Sequence, residues 1–343
     1  MSRPSIKVMQ FTHPTAEQLT AAIAEFEASC DDKHVHPSAL RGLFNESDRL
    51  STEPFPKVES HGSYVYGVLA TPTDVSDSKS EYFNIYFVAN ETAAITVLWG
   101  PEFTSENEAM LRPRRDQMSR RIAREFNDNV PEYAPGDVLV QIAEVVVEDL
   151  ENVLWELRLK VAKELTELEG ELFGDQLGSS SSSESVDRYR NVALLKFEIL
   201  SMKTTVEETK NTFAAIARGE SMLGPYPDGS RREPFSHDQQ IWFNDLLMRS
   251  RSVKAQRADL EAEVKLVYDR LESLENQRQT VAQMRLGAVA SILLLPALIV
   301  GFFGQNFNVT PWDDFRFSWE INAAVIIVSA AVQYVYFKRK KWL

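Results

Sequence analysis

Hydrophobic positions are spaced very differently along the two ends of this chain. Short β-branched and aromatic runs come first: "SIKVMQF", "GSYVYGVLA", "EYFNIYFVA" and "AAITVLW", separated by "TPTDVSDSKS" and "NE". These predict strands joined by hairpin-type turns. "TAEQLTAAIAEFEA" places Thr15 and Gln18 at capping-box spacing and predicts a helix. From Pro135 the spacing becomes helical: a helix over 138–171, a break at "GSSSSSES" (178–185), a helix over 188–218, and a third opening at Ser236 with Gln239 three residues on. Nothing that breaks a helix then appears until Pro296, which predicts one rod of about sixty residues, or about 90 Å. Leu246, Val253, Leu260, Val267, Leu274 and Val281 recur every seven residues in it, with Val264 and Leu271 in the companion seam and Ser250, Arg257 and Arg278 interrupting it. Such a seam supercoils against other helices. Those helices are the 138–171 and 188–218 segments or copies of the rod around an axis, and near the apolar end copies are the favoured partner.

Leu286 to Phe303 contains no ionisable side chain, and at about 1.5 Å per residue it reaches about 27 Å, the depth of a bilayer's hydrocarbon core. Ile321 to Phe337 is a second apolar run that ends in Tyr334 and Tyr336, followed by four cations, Lys338 to Lys341. The intervening segment carries Asp313, Asp314 and Glu320 against Arg316 alone. Cations flanking a span mark its cytoplasmic side. The expectation is a multi-pass protein of the plasma (cell inner) membrane with both termini cytoplasmic. The competing expectation is a buried hairpin of core helices.

Composition narrows the chemistry. Net charge is −13 over 343 residues, which repels nucleic acid, and the lone cysteine, Cys30, excludes an internal disulfide and a Cys-based zinc cluster. The N-terminus lacks the pattern of a signal peptide. His34 and His36 sit two apart in a loop-like segment and read as structural or surface residues rather than metal ligands. No phosphate loop, Ser/His/Asp order or HExxH is present, so no enzyme and no prosthetic group is expected. The acidic stretch 144–171 reads as a solvated face.

The run "GFFGQNF" and the tail "YFKRKKWL", after a long helix that follows an α/β domain, resemble the CorA family of divalent-cation channels. The resemblance covers the whole chain. Its fold class is α+β: a cytoplasmic α/β domain (1–134), a cytoplasmic helical region (135–235), a very long stalk helix running into the first of two C-terminal transmembrane helices (236–303), an outer loop (304–320), and a second transmembrane helix with a basic tail (321–343). The resemblance implies a homopentameric funnel in a lipid bilayer, its first membrane helices lining the pore. The signature forms a ring at the outer mouth. The family's Gly-Met-Asn is here Gly304-Gln305-Asn306. That departure keeps a ZntB-like zinc transporter on the same fold as an alternative to Mg²⁺ uptake, with Co²⁺ or Ni²⁺ as further cargo. A non-conducting membrane-anchored scaffold or sensor is the alternative of another class.

Neutral oxygens suit the task. A ring of Asn306 amides and backbone carbonyls can hydrogen-bond the water shell of Mg²⁺ and still release the ion. Thr280, Gln283, Gly287, Ser291, Leu294 and Gly301 share one helical face and are the candidate pore lining, with Leu294 a candidate apolar constriction. Asp313 and Asp314 either attract cations to the mouth or are ordinary loop solvation. The resemblance also implies a regulatory divalent-cation site at Asp245, for which Asp74 and Asp77 are candidate partners, while Met248 stands where the family has a second acid.

Overall fold

The computed structural model describes residues 7–30, 34–44, 56–73, 81–90, 92–101, 103–104, 108–127, 135–173, 182–220, 235–304, 319–340 and 342. Two compact units divide the chain: Met1–Thr166 with Val186–Val267, and Glu167–Ser185 with Tyr268–Leu343.

In the first unit, β1 (Lys7–Thr12), β2 (Lys57–His61), β3 (Tyr64–Pro72), β4 (Tyr82–Ala89) and β5 (Ala93–Trp99) form one mixed sheet in the order β1-β5-β4-β3-β2. β1 runs parallel to β5 and every other neighbour is antiparallel. The three central strands are buried along almost their whole length, so both faces are covered. α1 (Ala16–Ala28) and α2 (Pro37–Leu43) cover one face, packing Leu19, Phe26, Ala39 and Leu43 against Tyr66, Val68, Val88 and Ile95. Thr15 and Gln18 cap α1 reciprocally, as their spacing predicts.

α3 (Glu108–Asn127), α4 (Pro135–Phe173) and α5 (Ser182–Ala217) reach the sheet through polar bonds. Gln10 donates to the Ser119 carbonyl at 3.0 Å, Tyr82 donates to the Ser201 carbonyl at 3.2 Å, and Thr212 donates to the Pro56 carbonyl at 3.1 Å. α2, α3 and β2 are elements that the hydrophobic pattern did not announce. α3 is mostly charged and polar, and β2 is a short edge strand, half-buried throughout, with no clean alternation. The serine-rich break is also shorter than expected: Ser182 to Ser185 already belong to α5.

α6 runs from His237 to Gly304 without interruption, and Pro296 does not break it. Its cap is the predicted one: the Gln239 N–H donates to Ser236 Oγ at 3.3 Å and the Ser236 N–H to Gln239 Oε1 at 2.8 Å. Within the first unit, α6 packs beside α4 and α5. Phe213 and Phe243 have ring centroids 5.7 Å apart, Arg249 meets Glu151 at 2.7 Å, and Lys254 meets Glu207 at 2.6 Å. The seven-residue seam is satisfied by this packing. Leu246, Val253, Leu260, Val264 and Val267 are all nearly inaccessible in the single chain. In the second unit Leu271 and Leu274 are buried as well, and Val281 is half-buried. The expectation that copies of the rod cover the seam near its apolar end is therefore corrected down to Leu274, because the chain's own helices already fill it. Of the interrupting residues, Ser250 bonds back to the Leu246 carbonyl at 2.8 Å, Arg257 pairs with Glu261 at 2.9 Å, and Arg278 lies 4.0 Å from Glu275. Each polar group is thereby matched inside its own helix.

Candidate functional site

The last third of α6 has no ionisable residue after Arg285, yet its large side chains face outward. Leu286, Leu293, Leu294 and Leu298 are 66–71% exposed. Among the described residues this is the one helix long and apolar enough to cross a bilayer. A second helix, α7 (Trp319–Arg339), follows, and Ile327, Val328, Val332 and Val335 are exposed on it. At its end Lys338 lies 5.7 Å over the Tyr334 ring, and Trp342 stacks on Phe337. Exposed apolar helices without charge are stable only where something other than water surrounds them.

At about 100° per residue, Thr280, Gln283, Gly287, Ser291, Leu294 and Gly301 occupy an arc of about 80° on α6. Ser291 is half-buried and the other five are exposed. Around Gly287 and Gly301 an added Cβ would meet no atom within 4 Å. Packing within the chain does not demand a glycine at either position. Ala288, about 100° round from the middle of the arc, is fully buried. The helix thus has one covered flank and one open, small-residue flank. Gly304 ends α6 and only its backbone is described, while Gln305, Asn306, Asp313, Asp314, Asp74 and Asp77 lie outside the described residues.

Asp245 is exposed on α6, with Ile241 at 49% exposure one turn before it and Met248 at 52% one turn after. Among the described residues, no three His, Cys, Asp or Glu side chains converge as a metal site. Asp245 alone supplies one carboxylate.

Several acids of the 144–171 stretch are engaged rather than solvated. Arg114 grips Asp149 with both ends of its guanidinium, donates to the Pro72 carbonyl at 2.8 Å and to Thr71 Oγ1 at 3.0 Å, and lies 5.5 Å over the Phe83 ring. Thr71 also donates to Asp149. This knot ties the end of β3 to α3 and α4. Glu148 pairs with Arg121. The Arg121 hydrogen bond, against the effect of burial and helped by the charges of Arg121 and Arg249, holds the Glu148 carboxyl below the usual carboxylate range. Glu151 in turn raises the Arg249 guanidinium. Sequence alone missed this network because α3, which supplies both arginines, is mostly charged and polar and buries only a thin stripe of Leu111, Met118 and Ile122. A cavity of about 370 Å³ beside it is lined by Met118, Trp155 and Met202. The cations on its rim are already neutralised: Arg114 by Asp149, Arg121 by Glu148, Lys160 by Glu198.

The histidines make structural contacts, with His36 capping α2. His34 lies 3.9 Å from Glu27, and the His36 ring stacks on His61 at 4.9 Å. Glu27, seven residues before His34, comes from α1, and Glu59 lies 3.3 Å from His61 on β2.

Comparison with known proteins adds the following. The family described as CorA-like Mg2+ transporter protein matches residues 34–339. The cobalt/magnesium transport protein CorA of Thermotoga maritima is 25% identical over 317 residues, covering 90% of this chain and 77% of that protein. The magnesium transport protein CorA of Mannheimia succiniciproducens is 23% identical over 257 residues, covering 74% of this chain and 72% of that one. In three dimensions the chain is similar to the complete CorA magnesium transporter of Methanocaldococcus jannaschii, with a TM-score of 0.66 at 15% identity, covering 98% of this chain and 91% of that one.

Proposed function

Because this chain belongs to the CorA-like Mg²⁺ transporter family, a family of membrane divalent-cation transporters, we propose that it carries Mg²⁺ inward as a homopentameric channel, with Co²⁺ and Ni²⁺ as lesser cargo. The observation that carries the reading is the apolar, outward-facing end of α6, open along the arc from Thr280 to Gly301. Two transmembrane helices, 286–303 and 321–337, place both termini in the cytoplasm. The first lines the path and Leu294 narrows it. Gly304, Gln305 and Asn306 form the outer collar, where uncharged oxygens hold the ion's water shell. Asp313 and Asp314 add a negative field at the mouth. The ion needs no chemical fuel: each charge moved across 100 mV of membrane potential contributes about 2.3 kcal/mol, and a divalent ion about twice that. Cytoplasmic Mg²⁺ restrains the flow through Asp245, with Asp74 and Asp77 as candidate partners. A cation shared between carboxylates clamps the surfaces that carry them, and its loss leaves like charges that repel.

Flux into proteoliposomes is the test. Purified protein should pass Mg²⁺ when the interior is negative, and pass Co²⁺ and Ni²⁺ more slowly. Asn306→Ala should lose most of the flux while retaining the assembly's size. Zn²⁺ flux that depends on a pH gradient, with no Mg²⁺ flux, would overturn the choice of ion. Asn306→Ala with unchanged flux would overturn the collar.

A further inference from the structure

Where α3, α4 and α5 meet the end of β3, the chain leaves a cavity of about 370 Å³. That size lies within the range of small-molecule sites, about 300–1,000 Å³. Its floor is apolar: Leu111, Met118, Val145, Leu157 and Met202 line it and are buried. Its mouth carries large apolar side chains too. Trp155 is 61% exposed there and Met110 is 50% exposed. Trp155 thus offers an indole face that the chain's own packing leaves open.

The charges around the cavity decide what it can take. Arg114 is held by Asp149, Arg121 by Glu148, and Lys160 lies 3.6 Å from Glu198. Each cation's field is offset by its partner, so an anion gains little here. Glu156 lines the same cavity and is exposed, and its carboxylate makes no ion pair or hydrogen bond among the described residues. Lys160, one turn further along α4, is engaged with Glu198 instead. Three cations against four carboxylates leave one net negative charge, and it sits next in sequence to the open indole. Gln117 and Asn152 line the wall without adding charge.

We propose that this cavity binds a bulky organic monocation, of the class of quaternary ammonium compounds that carry an aromatic arm. The arm fills the apolar floor, where the methionine side chains adjust to its shape. The cationic head rests on Trp155 by cation–π attraction and faces the Glu156 carboxylate. A head whose charge is spread over many atoms is weakly hydrated and leaves water for an indole face more readily than a compact ammonium does. A hydrated divalent ion finds a single unpaired carboxylate there, and an aromatic anion finds repulsion. Every residue that lines the cavity belongs to the first unit, and the arc from Thr280 to Gly301 belongs to the second, so binding is tested apart from transport.

The test is isothermal titration of benzyltrimethylammonium into the full chain in uncharged maltoside micelles, with benzyl alcohol and benzenesulfonate as the neutral and anionic comparisons. The monocation should bind with a dissociation constant of about a millimolar. Both comparisons should bind at least about tenfold more weakly. Trp155→Ala and Glu156→Gln should each weaken the monocation at least about threefold. Both positions are exposed, so the variants keep the fold, which their unchanged melting temperatures should confirm. Trp242→Ala, at an exposed position of α6, should leave binding unchanged. Methyl NMR of isotope-labelled methionines locates the ligand: Met118 and Met202 should shift, and Met284, in the second unit, should not. Equal binding of the three compounds would overturn the proposal. So would no binding of the monocation at about ten millimolar, full binding by both Trp155→Ala and Glu156→Gln, or shifts confined to Met284.

Discussion

Gly67 and Gly287 are both glycines inside regular elements, and their surroundings give them opposite meanings. A Cβ on Gly67 would lie 2.4 Å from the Phe87 ring and 2.7 Å from the Lys57 carbonyl oxygen, and that oxygen belongs to the backbone and cannot swing away. Gly67→Ala should therefore destabilise the chain by about 1–3 kcal/mol in a denaturant titration. Gly287→Ala meets nothing within 4 Å inside a helix, and the same titration should show no loss and a gain of at most about 1 kcal/mol. Any change that Gly287→Ala makes in flux then reports on contacts outside the single chain. A second residue-scale prediction concerns acid. The Glu148 carboxyl sits below its ordinary value because Arg121 bonds to it. Its stabilising effect is complete above the ordinary glutamate value, near 4.3, and is lost as pH falls through the depressed one. Glu148→Gln should flatten the drop in melting temperature between about pH 5 and 3.

At the scale of elements, α6 presents two environments on different faces of one helix. Leu260 is 1% exposed and Leu266 46% exposed on the same uninterrupted helix. Leu260→Ala should cost about 2–5 kcal/mol, through lost burial and a residual cavity. Leu266→Ala should cost under about 0.5 kcal/mol. Both replace leucine by alanine within one helix, so helix propensity cancels between them. Equal costs would mean that the seam is not covered within the chain. Elsewhere, capping decided where helices begin. The boxes at Thr15 and Ser236 were visible as spacings and are present as bonds. The cap at His36 was not visible, because histidine is an unusual cap and its stacking partner lies on another strand.

For the molecule as a whole, the family sets the activity and the open end of α6 sets where to test it. Under the proposed function Leu294, 71% exposed in the single chain, forms an apolar ring that gates by dewetting. Leu294→Asn should raise Mg²⁺ flux and weaken its inhibition by cytoplasmic Mg²⁺, both read in liposomes. Flux unchanged by that substitution would remove Leu294 from the path. Under the same proposal, native mass measurement should give five copies per particle.

Much of this was legible from residue order alone, since it depends on local chemistry. Four of the five strands, the extent of α6, the two caps and the apolar end all follow from side-chain periodicity and from residues within a few positions of one another. The remainder depended on which distant residues became neighbours. Asp149 in the hold of Arg114, His61 stacked on His36, and Leu274 covered by the chain's own helices are pairings across tens of residues that no spacing encodes. Charge pattern could show that 144–171 was acidic, but desolvation and the arrival of α3 decided which of its acids became anchors. In the same way, the seven-residue repeat specified that a seam would be buried, and only packing chose the partner.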